Sequence, residues 1–489
     1  MNTFPAPVLQ ALSESFPSPL FSVDPSLITL LQQNTSEFAP RNVIGVFAPP
    51  DVEGVAEVIR AAGKYNFSVY PYSTGKNWGL GSKLPVADDC ALLELNRLNI
   101  IREVHEDMHF AIIEPGVTQR QLSDFLKEHH PLLMLNVTGS SPDSSIIGNI
   151  LERGSGFYKH RIEDLRGLEV VKADGEILRT GFWHYDRGER PVHHYKYGIG
   201  PYIDGLFSQS NLGIVTAAVV NLIPMPESME LMWCSFHSEQ LVPMIDRLSK
   251  LYKQNLLHNI LHIGNTTRLK ITGAEEAVWS IWGAISGTKN LVNFLKEEIT
   301  LHLEDIAGKI EFLTDENVDQ DNHFRTLYEM YRGVPSDMFL KAMYQSVGQT
   351  IQEDELNLDT GRYGMLCCLP MLPMAGKDIN DAITLLHKVC DEFGIAPAMT
   401  INPISGEYAE AVINLYFDRS SKDATDNAHR CNAALHEQMF ADGFRFYRID
   451  VENMNTITRD NSVFWKTIKD IKKALDPQGI IAPGRYGLL

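Results

Sequence analysis

Four glycine-bearing segments, set far apart, constrain this chain more than any other feature. They read PYSTGKNWGLGS at residues 71–82, VTGSSPDSSIIGNILERGSG at 137–156, YGIGPYIDGLFSQSNLGIVT at 197–216 and IIAPGRYGLL at 480–489. Glycine lets a backbone turn tightly and approach a partner closely. Exposed N–H groups in such turns can also form a nest for phosphate. Taken singly, each segment reads as a structural turn. The first contains neither the GxxxxGK[ST] loop nor a GxGxxG that opens a helix. Taken together, they point to one extended ligand held by several loops, with the end of the chain returning to the first half.

Between these segments the pattern supports an α+β fold. In APPDVEGVAEVIRAAGKY, Asp51 is a plausible N-cap, and Val55, Val58, Ile59 and Ala62 recur at helical spacing. Phe67–Tyr72 and Phe110–Ile113 read as buried strands, and Thr118 with Gln121 as a capping box. LEVVKADGEILRTG is a hairpin signal around Asp174-Gly175, and residues 211–226 read as a further buried strand. Beyond Pro224 and Pro226 the texture changes. Longer amphipathic stretches, LVPMIDRLSKLYKQ and INDAITLLHKVCDEF, alternate with strands such as GMLCCLPML and AVINLYF. A second, mixed domain is expected there. The tail is one helix followed by a Pro/Gly-rich end docked on the body.

Composition excludes several classes of function. With 43 Lys and Arg against 62 Asp and Glu, the net charge of −19 argues against nucleic-acid or anionic-membrane partners. No apolar run is long enough to span a membrane. The opening MNTFPAPVLQALSESF lacks the basic start and apolar core of a secretory signal. Six scattered cysteines fit core packing in a reducing compartment, so a cytoplasmic protein is expected. The histidines His129, His130, His160, His193 and His194 show no metal-ligand spacing, so no metal is expected. The absence of GxSxG weighs against a hydrolase.

The four segments, in this order, resemble the vanillyl-alcohol oxidase / p-cresol methylhydroxylase family of FAD-linked oxidases. Ser73–Gly81 matches the family pattern S-x-G-R/K-N-x-G-x-G, and Ser145–Gly156 matches S-I-I-G-N-x-x-E-R-G-x-G. Gly200–Thr216 and Leu475–Gly487 match the third and fourth family motifs almost without change. The resemblance implies a two-domain fold, a PCMH-type FAD-binding domain plus a ferredoxin-like cap domain. It places the first at 1–228, completed by 450–489, and the cap at 229–449. It implies an FAD site made by Ser73, Thr74, Gly75, Lys76, Asn77 and Gly79, by Ser140, Ser145, Gly148 and Asn149, by Ile214 and Val215, and by Arg448 and Arg485. The substrate pocket would hold Leu80, Phe157 and Tyr447, with Tyr447, Arg448 and Glu410 as catalytic residues.

The implied reaction takes a hydride from an alcohol, amine or benzylic-type carbon of a small organic substrate to flavin N5. O2 or a partner protein would accept the electrons, and the expected assembly is a homodimer or higher homo-oligomer. The chain departs from the family in ways that matter. Lys76 stands where berberine-bridge-type relatives carry an anchoring His, residues 137–156 hold no Cys, and residues 324–386 hold no His. Non-covalent FAD is therefore expected, with Tyr363 left open as an anchor. Two of the three tyrosines that hold phenolate in the phenol oxidases are Leu80 and Phe157 here, and the carboxylate near N5 is Ser140, three residues from Asp143. Only Tyr447, followed by Arg448, remains. Glu410, where relatives carry a His near the ring, reads either as a general base or as a solvated strand-edge carboxylate. The alternative to an oxidoreductase is a flavin- or ligand-binding protein of the same fold without redox turnover.

Overall fold

The computed structural model describes residues 3–188, 190–265, 279–318, 323–345, 356–456 and 462–488. Its first sheet runs in the order Phe21–Ser22, Val43–Phe47, Cys90–Glu94, Ser68–Tyr72, the last three strands being parallel. Cys90 to Leu93 are buried without alternation, as a parallel strand covered on both faces requires. The helix Val52–Tyr65 makes the crossover. Asp51 caps it by accepting from the Gly54 N–H at 2.9 Å, and Val55, Val58, Ile59 and Ala62 are buried. The tail adds to the edge of this sheet. Ile481 bridges Val69 in parallel, with Val69 N–H to Ile480 C=O at 2.8 Å and Ala482 N–H to Val69 C=O at 2.7 Å.

The second sheet is antiparallel throughout, in the order Ile101–His105, Phe110–Ile113, Ile214–Asn221, Leu165–Val171, Ile177–Arg179. The expected hairpin forms around Gly175, whose φ of +80° is the left-handed conformation such a turn needs. Half of the expected capping box forms. Thr118 accepts from the Gln121 N–H at 3.1 Å, but the Gln121 side chain donates to Asn99 C=O at 2.7 Å instead of returning to the cap.

Every strand from Ser228 onward among the described residues joins the third sheet. Its antiparallel order is Lys309–Leu313, Ser228–Phe236, Trp279–Gly287, His262–Gly264, Ala398–Pro403, Tyr408–Asp418, Pro370–Pro373, Arg445–Phe446, with Tyr363–Cys368 also paired to Tyr408–Asp418. One face carries Ile263, Ile281, Leu366, Cys368, Ile401, Ile413 and Leu415. These bury against Leu386 of the helix Gly376–Glu392 and Leu435 of the helix Lys422–Ala441 in one apolar core. Register fixes what lies on the opposite face. Thr400 faces Val412, Asn402 faces Glu410, Cys367 faces Asn414, Met365 faces Tyr416 and His262 faces Trp282. Side chains of directly paired residues share a face, so these residues form one surface.

Candidate active site

That surface and the glycine-bearing loops enclose a cavity of about 410 Å³. All four segments reach it: Ser73, Thr74, Gly75, Lys76 and Asn77 from the first; Ser140, Ser145, Gly148 and Asn149 from the second; Ile214 and Val215 from the third; Arg485 from the fourth. Hydrogen bonds tie the loops together. Thr74 Oγ1 accepts from the Ser145 N–H at 3.0 Å, and the Ser145 hydroxyl donates to Pro115 C=O at 2.6 Å while accepting from the Gly148 N–H at 2.9 Å. The Ser140 hydroxyl bonds Thr138 and Ser144, each at 2.8 Å.

The tail is held more firmly still. Lys472 is buried and donates to Asn211 C=O at 2.7 Å, Asp476 Oδ2 at 2.6 Å and Ile481 C=O at 3.0 Å. Asn211 in turn donates to Ala482 C=O and Leu488 C=O, both at 2.9 Å. Arg485 pairs with Glu152 and donates to the Tyr70 hydroxyl at 2.7 Å, while the Tyr486 hydroxyl donates to Glu152 at 2.5 Å. Burial opposes the charge on Glu152, but Arg485 and then Arg448 hold its carboxyl below the usual range. Burial opposes the charge on Arg485 too, and Glu152 overrides it.

Gly79 is the exception among the expected loop residues. It does not line the cavity. Its φ is +80°, its C=O accepts from the Cys367 N–H at 3.3 Å, and a Cβ there would stand 2.2 Å from Cys367 Sγ. This glycine lets the first loop press against the third sheet. Lys76 lines the cavity with its Nζ 5.0 Å from the Trp78 ring centroid. Burial lowers its pKa, against the pull of Asp143 and Asp359.

Leu80, Phe157, Tyr447 and Arg448 all line the cavity. Leu80 packs with Cys367 and Leu369, and Phe157 sits edge-on to Tyr331 at 4.8 Å. Arg448 Nη2 donates to Asn77 Oδ1 at 2.6 Å, joining the sheet side to the loop side. Burial, and then Glu410, push the Tyr447 hydroxyl well above its ordinary value, and Arg448 offsets this only in part. Tyr447 is therefore a neutral phenol at neutral pH, with a proton available to donate.

Glu410 is not a solvated edge residue, and it stands behind the residues that line the cavity. It is fully buried in a central strand, accepts from Asn402 Nδ2 at 3.2 Å, and has His160 Nε2 3.4 Å from its other oxygen. Tyr363 is likewise off the wall, edge-on to Tyr344 at 5.5 Å, and Asp143 pairs with Arg120 at 2.9 Å. The sequence reading missed Thr400, Asn402, Asn414 and His262, which do line the cavity. The signal was available: polar residues at alternate positions of strands whose other positions are Ile, Leu and Ala.

Among the buried polar atoms on this wall without a hydrogen-bond partner are Trp78 Nε1, Asn149 Oδ1, Ser155 Oγ, Trp282 Nε1 and Arg448 Nε. Buried polar atoms without partners are costly, so their convergence on one cavity fits a polar, extended ligand such as FAD. Among the described residues no group of three or more His, Cys, Asp or Glu side chains is placed to hold a metal ion, and no helix is long and apolar enough to cross a membrane.

Comparison with known proteins agrees with this geometry. A family model described as an FAD binding domain matches residues 43–181. The chain is 28% identical to 1'-carboxy-chondrochloren decarboxylase of Chondromyces crocatus, covering 99% of this chain and 98% of that protein. It is 26% identical to the 4-cresol dehydrogenase [hydroxylating] flavoprotein subunit of Pseudomonas putida, covering 89% and 86% of the two. The structure of p-cresol methylhydroxylase with substrate bound superposes with a TM-score of 0.87 at 24% identity over 99% of this chain and 96% of that one. The fold is thus the PCMH-type FAD-binding fold in its two-domain form.

Proposed function

The chain belongs to the vanillyl-alcohol oxidase / p-cresol methylhydroxylase family of FAD-linked oxidases, and from that premise we propose how this FAD-dependent oxidoreductase works. It takes a hydride from an alcohol, amine or benzylic-type carbon of a small aromatic or apolar substrate. Bound FAD supplies the hydride acceptor and hands the electrons on to O2 or to a partner protein. The observation that carries this reading is the convergence of loops from both halves of the chain on one cavity with unpartnered polar atoms. Residues 1–228 with 450–489 form the cofactor domain in this reading, and 229–449 form the cap.

Each residue then has a definite task. Loop 73–77, with Ser140, Ser145, Gly148 and Asn149, binds and orients the cofactor, and Ile214, Val215 and Arg485 close it from the other side. Arg448, held by Asn77, places a fixed positive charge where negative charge develops. Tyr447 donates a hydrogen bond to the substrate and keeps its own proton. Leu80 and Phe157 exclude water and offer an apolar surface in place of phenolate-binding hydroxyls. FAD is held without a covalent bond, because neither His nor Cys stands at the anchoring positions and Tyr363 lies off the cavity wall.

The test is anaerobic mixing of the purified protein with a panel of benzylic alcohols, benzylic amines and 4-alkylphenols. Bleaching of the flavin band by one class identifies the donor, and an oxygen electrode then separates O2 from a partner as acceptor. A flavin that dithionite bleaches, but no member of the panel does, would support the non-redox alternative. A second reading is favoured by Leu80 and Phe157, which leave no phenolate cradle, and by the decarboxylase among the similar proteins. In that reading the substrate is a carboxylic acid, and CO2 release accompanies flavin bleaching.

A further inference from the structure

The cavity-facing surface of the third sheet is polar where a strand buried on both faces is ordinarily apolar. Asn402 and Glu410 are directly paired across adjacent strands, and neither is more than 3% exposed. Their hydrogen bonds have a direction. Asn402 Nδ2 donates to Glu410 Oε1 at 3.2 Å. That turns the Asn402 Oδ1 toward His262 Nδ1, 2.8 Å away. A carbonyl oxygen only accepts, so His262 carries its proton on Nδ1. His160 Nε2 stands 3.4 Å from the second Glu410 oxygen. One carboxylate thus sets the orientation of an amide and the tautomer of an imidazole beyond it, and both Asn402 and His262 line the cavity.

An amide nitrogen has two N–H bonds, and Glu410 takes one from Asn402. The other is left for whatever fills the cavity. Leu80 and Phe157 bring no hydroxyl to the same space. We propose that Asn402 is a specificity residue that donates a hydrogen bond to a neutral oxygen of the substrate, an ether, ester or carbonyl, and that Glu410 and His160 are positioning residues that fix its amide. The Glu410 carboxylate directly behind the amide disfavours an anionic group at this point. The inference rests on reading the cavity as the substrate pocket, and it is tested by binding, separately from turnover.

The probes are 4-methoxybenzyl alcohol and 4-ethylbenzyl alcohol, which match in shape and differ in one oxygen. Calorimetric titration of the full-length, flavin-loaded protein gives each Kd whether or not the flavin is reduced. The native protein binds the methoxy compound about fivefold to tenfold more tightly, the worth of one hydrogen bond. Asn402→Leu loses that preference while its Kd for the ethyl compound stays the same. Glu410→Gln weakens the preference, because a glutamine amide can face Asn402 either way, and Glu410→Asp restores part of it. A merely structural role would weaken both ligands equally. Equal affinity of the native protein for the two compounds, binding of neither, or a preference that survives in Asn402→Leu overturns the proposal. Absence of flavin bleaching in the separate anaerobic assay bears on the redox reading and leaves this one standing.

Discussion

The two walls of the cavity are built by opposite means. The loop wall is built from turns and the ends of a helix and a strand, drawn from segments hundreds of residues apart and held by charged locks: Lys472 with Asp476, and Arg485 with Glu152. The sheet wall is regular backbone, and its side chains are placed by register alone. Loops have few bonds of their own, so their shape depends on tertiary locks. A sheet keeps its shape when a side chain changes. Substitutions that break the loop wall should therefore cost stability and cofactor together, whereas substitutions on the sheet wall should alter substrate recognition and leave the fold intact.

Lys472→Met gives the largest expected effect. It leaves Asp476 buried without its cation and removes the bonds from Lys472 to Asn211 and Ile481. Denaturant unfolding should show a loss of about 3–5 kcal/mol, with FAD released in the same transition. Glu152→Gln comes next, at about 2–3 kcal/mol, since Arg485 loses a buried charged partner. Its pH dependence has a definite sign. The Glu152 pKa is depressed in the fold, so its contribution is complete above the ordinary carboxylate value and fades as pH falls below it. Thermal melts across that acid range should fall less steeply for Glu152→Gln than for the native protein.

Gly79→Ala tests the seam between the walls. The added Cβ would meet Cys367 Sγ at 2.2 Å, at a φ of +80° that alanine disfavours. A loss of about 2 kcal/mol is expected by calorimetry, and both flavin retention and substrate affinity should suffer. Thr400→Val is the smallest and sharpens the contrast. Its side chain lies on the sheet wall opposite Val412, and stability should change by less than about 1 kcal/mol, while the Kd of the preferred substrate shifts.

The same contrast explains what the sequence disclosed. Asp51, Phe110–Ile113 and the Asp174-Gly175 hairpin follow from local caps, apolar runs and turn chemistry, and the fold contains each of them. The loop wall was legible because glycines and hydroxyls mark sharp turns in any context. The sheet wall was legible only in part: alternation marks its polar positions along each strand, but Asn402 and His262 meet only through strand pairings that join residues 140 positions apart. Glu410 was read as a base or a solvated edge because pairing of its strand on both sides leaves no local trace. Gly79 came as a cofactor contact from the family resemblance, and nothing in the sequence discloses its close approach to Cys367.

The most direct measurement is the visible absorption spectrum of the purified protein, taken before and after acid precipitation. A flavin spectrum that moves wholly into the supernatant as FAD is the result this account predicts. A colourless protein that gains no flavin spectrum on incubation with FAD would contradict the cavity assignment, and colour that stays with the pellet would contradict non-covalent attachment.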